Sequence, residues 1–412
     1  MIPPRLVTRR DFLSGGLGWV GVGAALPSFL VRSAAAGETA VRRADRILVV
    51  LLLAGGQDGP SCVVPYAHET YARKRKTTFI PPEQVLPLNP EVGLHPNLKS
   101  LKELYDRKLL AVINGVGYPN PNYSHFESMD IWQAADLRGK AAGTGWLGRA
   151  CDVAFKGNDD PTLSLAIGEG VAPLALRGRE HPGLSFSRPD AFRYRGHRDV
   201  AARRAAYEKL NAGDGSGPES LQFITRTVVA ANAASETLRE RAARYKPRVS
   251  YPEGSLGRSL ATIAGLIAGE LPTRIYFLSY GGFDTHADQR AQHDRLMAGL
   301  DAALGAFIKD LEIQKLASRV LVMTFSEFGR RPEENGSRGT DHGSAGPMML
   351  LGPGVRGGVY FKHPSFEDLN PHGNFKHAVD FRCVYAVVLE KWLGVSSRLV
   401  LGDGFSPVDC LA

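Results

Sequence analysis

The chain has 412 residues, 43% of them apolar and 22% charged, with 46 glycines, 26 prolines and four cysteines. That composition is ample for a large buried core and excludes a disordered, collagenous or disulfide-framework protein. Fifty basic against 42 acidic side chains leave a net charge of +8, but no Lys/Arg run interleaved with aromatics exists, so no nucleic-acid partner is expected.

Residues 1–36 read as a leader. Thr8-Arg9-Arg10-Asp11-Phe12-Leu13 is a twin-arginine pattern, followed by a weakly apolar stretch that glycines and Pro27 interrupt, which makes a poor membrane-spanning helix. Ala34-Ala35-Ala36 then offers the small side chains of a cleavage site. The expectation is a Tat export signal, with the Tat translocase as a transient partner, a periplasmic or extracytoplasmic location and no stable membrane span in the mature form. A Sec signal or an uncleaved anchor fits the same residues. The formal G-x-G-x-x-G match at 16–21 lies inside this leader and follows no strand, so it carries no dinucleotide site.

The mature part, 37–412, alternates strand-length apolar runs with helical patterns. Residues 47–53 (ILVVLLL) form a continuous apolar run, as a parallel strand covered on both faces requires. A helical pattern at 96–106 leads to a second run at 109–113, and a helix opens near Ser124 and runs through Trp132. Residues 157–217, rich in Pro, Gly and Arg, read as an irregular insertion or small subdomain, with a linker at 211–218 (NAGDGSGP). Helical patterns follow at 219–245 and 255–270, then strands at 274–278 and 320–325 on either side of a helix at 287–312. A short strand at 348–351 and a helix at 377–393 close the chain. In 287–312, Leu296, Leu300, Leu304, Phe307 and Leu311 recur at three- or four-residue steps, which gives one apolar face. The predicted fold class is α/β: a mainly parallel central sheet sandwiched by helices.

The four cysteines make no C-x-x-C pair, and no P-loop, H-E-x-x-H helix or G-x-S-x-G elbow is present, which removes P-loop NTPases, common zincins and most α/β-hydrolases. The informative feature is where acidic and imidazole side chains fall. Asp58 follows the first strand. Asp284 and His286 follow the strand at 274–278, and Glu327 follows 320–325 directly. Asp341 and His342 shortly precede 348–351. Open parallel sheets bind ligands beyond the carboxyl ends of their strands, where these groups can converge. Carboxylates gathered there repel one another unless a cation is present. A mixed Asp, Glu and His set suits Zn²⁺, Mn²⁺ or Fe rather than Ca²⁺ or Mg²⁺. The expectation is one or two divalent metal ions, with a small anionic ester as substrate. Each residue also has a plainer reading: Asp341 as a cap, any single Asp as a turn residue, Ser124 as a helix N-cap, His125 as a packed ring. Beside a metal, Ser124 would be an activated nucleophile and His125 a ligand or acid/base. Arg330, Arg331 or Arg338 would bind the anion through paired N–H groups.

The segments LLLAGGQDGPSCVVPY, GYPNPNYSHFESMDIWQ, GGFDTHADQ, TFSEFGRRPEENGSRGTDHGSAGPMMLLG and AVDFRCVYAVVLEKWLG together resemble the bacterial domain-of-unknown-function family 1501. That family looks like a remote branch of the alkaline-phosphatase-like superfamily, which includes sulfatases and cofactor-independent phosphoglycerate mutases. The resemblance implies that Asp58 is the first-strand metal aspartate and Ser124 the hydroxyl nucleophile. It implies that Asp284, His286 and His342 hold one metal and that Glu327 stands where an Asp-His pair holds a second. Here Phe328 replaces that pair's histidine; an alternative alignment makes Asp341-His342 the pair. No C/S-x-P-x-R sulfatase motif is present, which favours phosphoesters over sulfate esters. The function so implied is an exported metal-dependent hydrolase of phosphate, less so sulfate, esters. The alternative is a metal-containing periplasmic or cell-surface binding protein without turnover.

Overall fold

The computed structural model describes residues 45–158, 160–187, 238–242 and 244–412. The expected leader, the linker at 211–218, residues 188–217 of the expected insertion and most of the helix expected at 219–245 lie outside the described residues. No helix among the described residues is long and apolar enough to cross a membrane.

The run ILVVLLLA becomes strand β1 (Ile47–Ala54), and it sits in the middle of the sheet. Its odd-numbered residues, Ile47, Val49, Leu51 and Leu53, join one buried cluster, while Leu48, Val50 and Leu52 join another. A period of two with both sets apolar is what a strand buried on both faces needs.

The other strands of this sheet are β2 (Leu110–Gly117), β3 (Ser164–Ile167), β4 (Leu184–Phe186), β5 (Ile275–Gly281), β6 (Val320–Phe325), β7 (Gly346–Leu351), β8 (Gly358–Tyr360) and β9 (Val379–Asp380). Their order is β8-β2-β7-β6-β1-β5-β3-β4, with β9 also on β2. Within this sheet every pairing is parallel except those of β7, which runs antiparallel to both β2 and β6. The predicted mainly parallel sheet is therefore present.

Helices cover the two faces. The helices include α1 (Glu69–Lys74), α2 (Lys99–Asp106), α3 (His125–Ala134), α4 (Trp146–Ala154), α5 (Ser255–Ala268), α6 (Gln289–Ile313) and α7 (Phe381–Val387). Leu300, Leu304, Phe307 and Leu311 of α6 pack with α5 and α2 against one face. Trp132 of α3, Trp146 of α4 and Tyr385 of α7 fill the other, Trp146 and Tyr385 stacked with centroids 4.1 Å apart.

One expectation needs correction. Residues 164–167 and 184–186 fall inside the segment read as an irregular insertion, yet β3 pairs parallel with β5 and carries β4 at the sheet edge. These strands are too short to show a periodicity among prolines and glycines. Cys62, Cys151, Cys383 and Cys410 are all free thiols.

Candidate metal centre

The loops after β1, β2, β5 and β6 leave from one edge of the sheet. The segment before β7 arrives at that same edge because β7 runs the opposite way. This reversal explains how Asp341 and His342, which precede their strand, meet groups that follow theirs. Gly55, just past β1, makes the close approach possible. Its φ is +118°, and a Cβ there would lie 2.4 Å from the Asp284 amide nitrogen, so only glycine fits.

Donor atoms gather around the Asp284 carboxylate. Asp284 Oδ1 lies 3.1 Å from His286 Nε2, 3.3 Å from His342 Nε2 and 3.5 Å from His125 Nε2. His286 Nε2 and His342 Nε2 are 2.9 Å apart. The donor atoms of His125, Asp284 and His342 all fall within 4.8 Å of one another. A tetrahedral zinc site with bonds of about 2.0–2.1 Å has donor–donor edges of about 3.3 Å.

The other nitrogen of each ring faces an oxygen. His125 Nδ1 lies 2.7 Å from Glu327 Oε1, His286 Nδ1 lies 3.3 Å from Asp341 Oδ1, and His342 Nδ1 lies 2.8 Å from the Tyr123 carbonyl oxygen. All three acceptors are oxygens, so each Nδ1 is the donor and each Nε2 is turned toward Asp284 as an acceptor, the His286 Nε2 also lying 3.4 Å from the donor Arg330 Nη1. His125 Nε2 is buried with no hydrogen-bond partner. Lone pairs from three imidazoles and a carboxylate aimed at one another are repulsive without a cation between them, and oxygen acceptors behind each ring are the usual outer support of a metal site. The donor set therefore fits a borderline divalent ion.

Arg330 organises this centre from below. It is fully buried, and its Nε donates to the Gly56 carbonyl at 2.6 Å, Nη1 to the Thr340 carbonyl at 2.8 Å, and Nη2 to Asp284 Oδ1 at 2.7 Å and to the Gly55 carbonyl. Partial burial would raise the Asp284 carboxyl, but Arg330's hydrogen bond and charge, with His342 and His286 adding to them, hold it at about 2. Burial also pushes the His342 imidazole below its ordinary range, with the Arg330 charge acting the same way and the Tyr123 carbonyl opposing. The Asn335 side-chain hydrogen bond is the leading cause that keeps Asp341 low.

Several sequence expectations are corrected by this geometry. Asp58, expected as a ligand, is completely buried; its carboxylate accepts from Arg75 Nη1 at 2.7 Å and Nη2 at 3.0 Å, from Ser61 Oγ at 2.6 Å and from Gln289 Nε2 at 2.6 Å. Burial raises the Asp58 carboxyl, and the Arg75 charge and hydrogen bond outweigh that to leave it at about 2. Glu327, also expected as a ligand, has its carboxylate turned to the His125 ring and to the Gly55 amide, accepting from the latter at 2.8 Å, and so holds that ring in place. Asp341 does the same for His286. Arg330 has no guanidinium face left for a substrate. With Asp58 and Glu327 engaged, the carboxylates for a second ion are missing. Phe328 packs against the rings of both His125 and His342, with centroids 4.8 and 4.6 Å apart.

Ser124 is the N-cap of α3, but its hydroxyl makes no capping hydrogen bond; the Asn122 carboxamide oxygen accepts from its amide instead. Sequence reasoning missed Tyr123, whose contribution is a backbone carbonyl and so leaves no mark on residue type. It also missed that Glu327 serves His125, a partnership across 202 positions.

The chain belongs to the family described as protein of unknown function (DUF1501), which it matches over residues 111–369. No curated protein matches it. Among solved structures it is similar to Ps i-CgsB in complex with k-i-k-neocarrahexaose, with 12% identity, 87% of this chain and 74% of that chain covered, and a TM-score of 0.43. It is similar to the PsFucS1 sulfatase from Pseudoalteromonas sp., with 11% identity, coverages of 88% and 70%, and a TM-score of 0.41. A third is the murine ectonucleotide pyrophosphatase/phosphodiesterase 5 in an inactive form with AMP, with 11% identity, coverages of 85% and 96%, and a TM-score of 0.39.

Proposed function

We propose that this chain is a metal-dependent hydrolase of phosphate esters, with sulfate esters second, built around one divalent ion at His125, His286, His342 and Asp284. The observation that carries this reading is the convergence of three imidazole Nε2 atoms on the Asp284 carboxylate, each ring's Nδ1 engaged behind it. Three nitrogens and one oxygen favour zinc, with manganese and iron after it, over calcium or magnesium. When bound, such an ion supplies Lewis acidity toward an ester oxygen.

The chain's own residues do the rest. Glu327, Asp341 and the Tyr123 carbonyl keep the rings turned inward with Nε2 unprotonated, and Arg330 keeps Asp284 ionised and in place. Ser124, whose hydroxyl is not used as a cap and which adjoins His125 in sequence, is the nucleophile in this reading; a water takes that role if the serine is dispensable. Export through the Tat translocase to the periplasm belongs to the same proposal and rests on the twin arginines at positions 9 and 10.

Metal content of the purified mature chain, measured together with hydrolysis of p-nitrophenyl phosphate and p-nitrophenyl sulfate, tests the proposal. One bound ion per chain is expected, with turnover lost on chelation, regained on reloading and abolished with the metal in His342→Ala. Loss of turnover in Ser124→Ala with metal retained assigns the serine; unchanged turnover assigns water. A chain that holds no ion after reloading overturns the reading. A second reading, a metal-holding binding protein without turnover, is favoured by the complete engagement of Arg330, and metal retention without hydrolysis of any ester selects it.

A further inference from the structure

The loops that carry Asp284, His286 and His342 come from separate parts of the chain, after β5 and before β7, and both reach one side chain. Gln289, the first residue of α6, is fully buried. Its carboxamide oxygen accepts from Thr340 Oγ1 at 2.6 Å and from Thr285 Oγ1 at 3.0 Å, and its nitrogen donates to Asp58 Oδ2 at 2.6 Å. Thr285 stands between Asp284 and His286 in the chain, and Thr340 directly precedes Asp341 and His342. We infer that Gln289 is a positioning residue of the metal centre: it fixes the spacing of the two loops, and so the grip of Asp284, His286 and His342 on a divalent ion.

The inference rests on the metal-centre reading above and adds to it a residue that acts on the ligands through the hydroxyls beside them. The chemistry selects an amide at this position. Two hydroxyl donors occupy both lone pairs of the oxygen, while the Asp58 carboxylate, an acceptor only, takes the N–H at the other end. Reversed, the amide would aim its oxygen at that carboxylate, so its direction is fixed. A glutamate would place a second negative charge there, and an apolar side chain would leave buried hydroxyls without their acceptor. Thr285 and Thr340 are both buried, so neither hydroxyl has bulk water to turn to. Thr285 Oγ1 has a longer alternative in the Phe283 carbonyl at 3.3 Å.

The clamp is anchored on both sides. Asp58 is held by Arg75, which also donates to the Arg331 and Pro332 carbonyls. The Gln289 amide donates to the Arg338 carbonyl at 3.0 Å, and the Thr340 amide to the Thr285 carbonyl at 3.2 Å. The Thr340 carbonyl accepts from Arg330 Nη1, and Nη2 of the same guanidinium holds Asp284. A buried polar network with its members paired favours one arrangement of the loops over others.

Zinc affinity by chelator competition, together with the visible absorption of the cobalt-loaded chain, tests the assignment; cobalt bands report coordination geometry. Gln289→Met keeps the length of the side chain and removes both polar ends. It should weaken zinc binding by about tenfold, the low end for outer partners of metal ligands, and shift the cobalt bands. Thr340→Val should weaken zinc binding by about fivefold, one ordinary hydrogen bond, and Thr285→Val by less, because its hydroxyl is shared with the Phe283 carbonyl. In the Gln289→Met background neither valine should weaken zinc further, since the acceptor through which both act is gone. Native zinc affinity and native cobalt bands in Gln289→Met, whatever its urea midpoint, overturn the assignment, as do valine losses that persist in full beside the methionine. If Gln289→Met does not fold, Thr340→Val decides by the same two readouts, native values overturning the assignment. A wild type that binds neither zinc nor cobalt removes the metal-centre reading and this inference with it, whereas zinc held equally by wild type and every variant removes the inference alone.

Discussion

A histidine ligand is only as good as the group behind it. His125 reaches the centre from the first position of α3, and what turns its ring is Glu327, an almost wholly buried carboxylate that also accepts from the Gly55 amide. Replacing that carboxylate by an amide removes the charge-assisted acceptor and lets the side chain present N–H to Nδ1, which would push the proton to Nε2. Glu327→Gln is therefore expected to weaken zinc affinity by about 10- to 100-fold, the range typical of outer partners of metal ligands. Competition against a chromophoric chelator at fixed pH measures it; an unchanged zinc Kd would return Glu327 to a purely structural role. Glu327 also illustrates what sequence reading can and cannot do. Its acidity and its place after a strand mark it as belonging to the site. Whether it touches the ion or a ring depends on side-chain direction, which residue type does not encode. Asp58 fails for a related reason: nothing at positions 55–60 announces that Arg75, seventeen residues on, lies against it.

At the scale of elements, long apolar runs were legible and short ones were not. The runs at 47–53, 274–278 and 320–325 map onto β1, β5 and β6 within a residue at the start of each. Burial on both faces leaves no polar alternation to confuse them. The run at 109–113 continues as β2 to Gly117 through Asn114 and Gly115, residues that look like a strand end. The helix expected at 377–393 begins only at Phe381, after β9, because Asp380 caps it by accepting from the Arg382 amide. The polarity of β7 escaped altogether, since direction leaves no compositional trace. Yet that reversal lets the 341–343 segment lie against 329–331. The Gly343 amide donates to the Gly329 carbonyl at 2.8 Å, and a Cβ on Gly343 would sit 2.4 Å from the Arg330 carbonyl carbon. Gly343→Ala must part these two segments, at an expected cost of about 1–3 kcal/mol by the usual penalty for overpacking. It should also loosen His342, which shares the bridge with Arg330. Chemical denaturation and zinc titration of the same variant check both effects; full stability together with native zinc affinity would show that the segments are free to separate.

For the whole molecule, a further unbalanced commitment is a buried polar core between the loop after β1 and α6. His293 on α6 is 1% exposed, and neither ring nitrogen has a hydrogen-bond partner. Burial is the main cause that drops its pKa to about 4, with Asp58 opposing and His95 adding to the drop. An unfolded histidine titrates near 6.5, so between about pH 6.5 and 4 the unfolded chain binds a proton that the folded chain refuses. Stability from this residue is complete above the upper limit and is lost as pH falls, by about 3 kcal/mol over the window. Asp58 acts in the next window down. Its folded pKa of about 2 lies below the ordinary carboxyl value, so its contribution is present above about pH 4 and disappears as pH falls toward 2, about 2 kcal/mol in all. The two losses follow one another, and a fold with ordinary stability cannot absorb much of either. Urea midpoints at pH 7, 5 and 3 should therefore decline steadily in wild type. His293→Leu, which replaces a refused proton acceptor with an apolar side chain, should lessen the decline between pH 7 and 5, leaving the part due to the other histidines that burial holds low: His363, at about 4, His95 and His342. The two proteins differ only at position 293, so the difference between the curves from pH 7 to 5 reports that residue. Toward pH 3 Asp58 shares in it, because His293 is one of the charges that lower its carboxyl. Parallel curves would mean that His293 takes up its proton in the folded core as readily as in the unfolded chain.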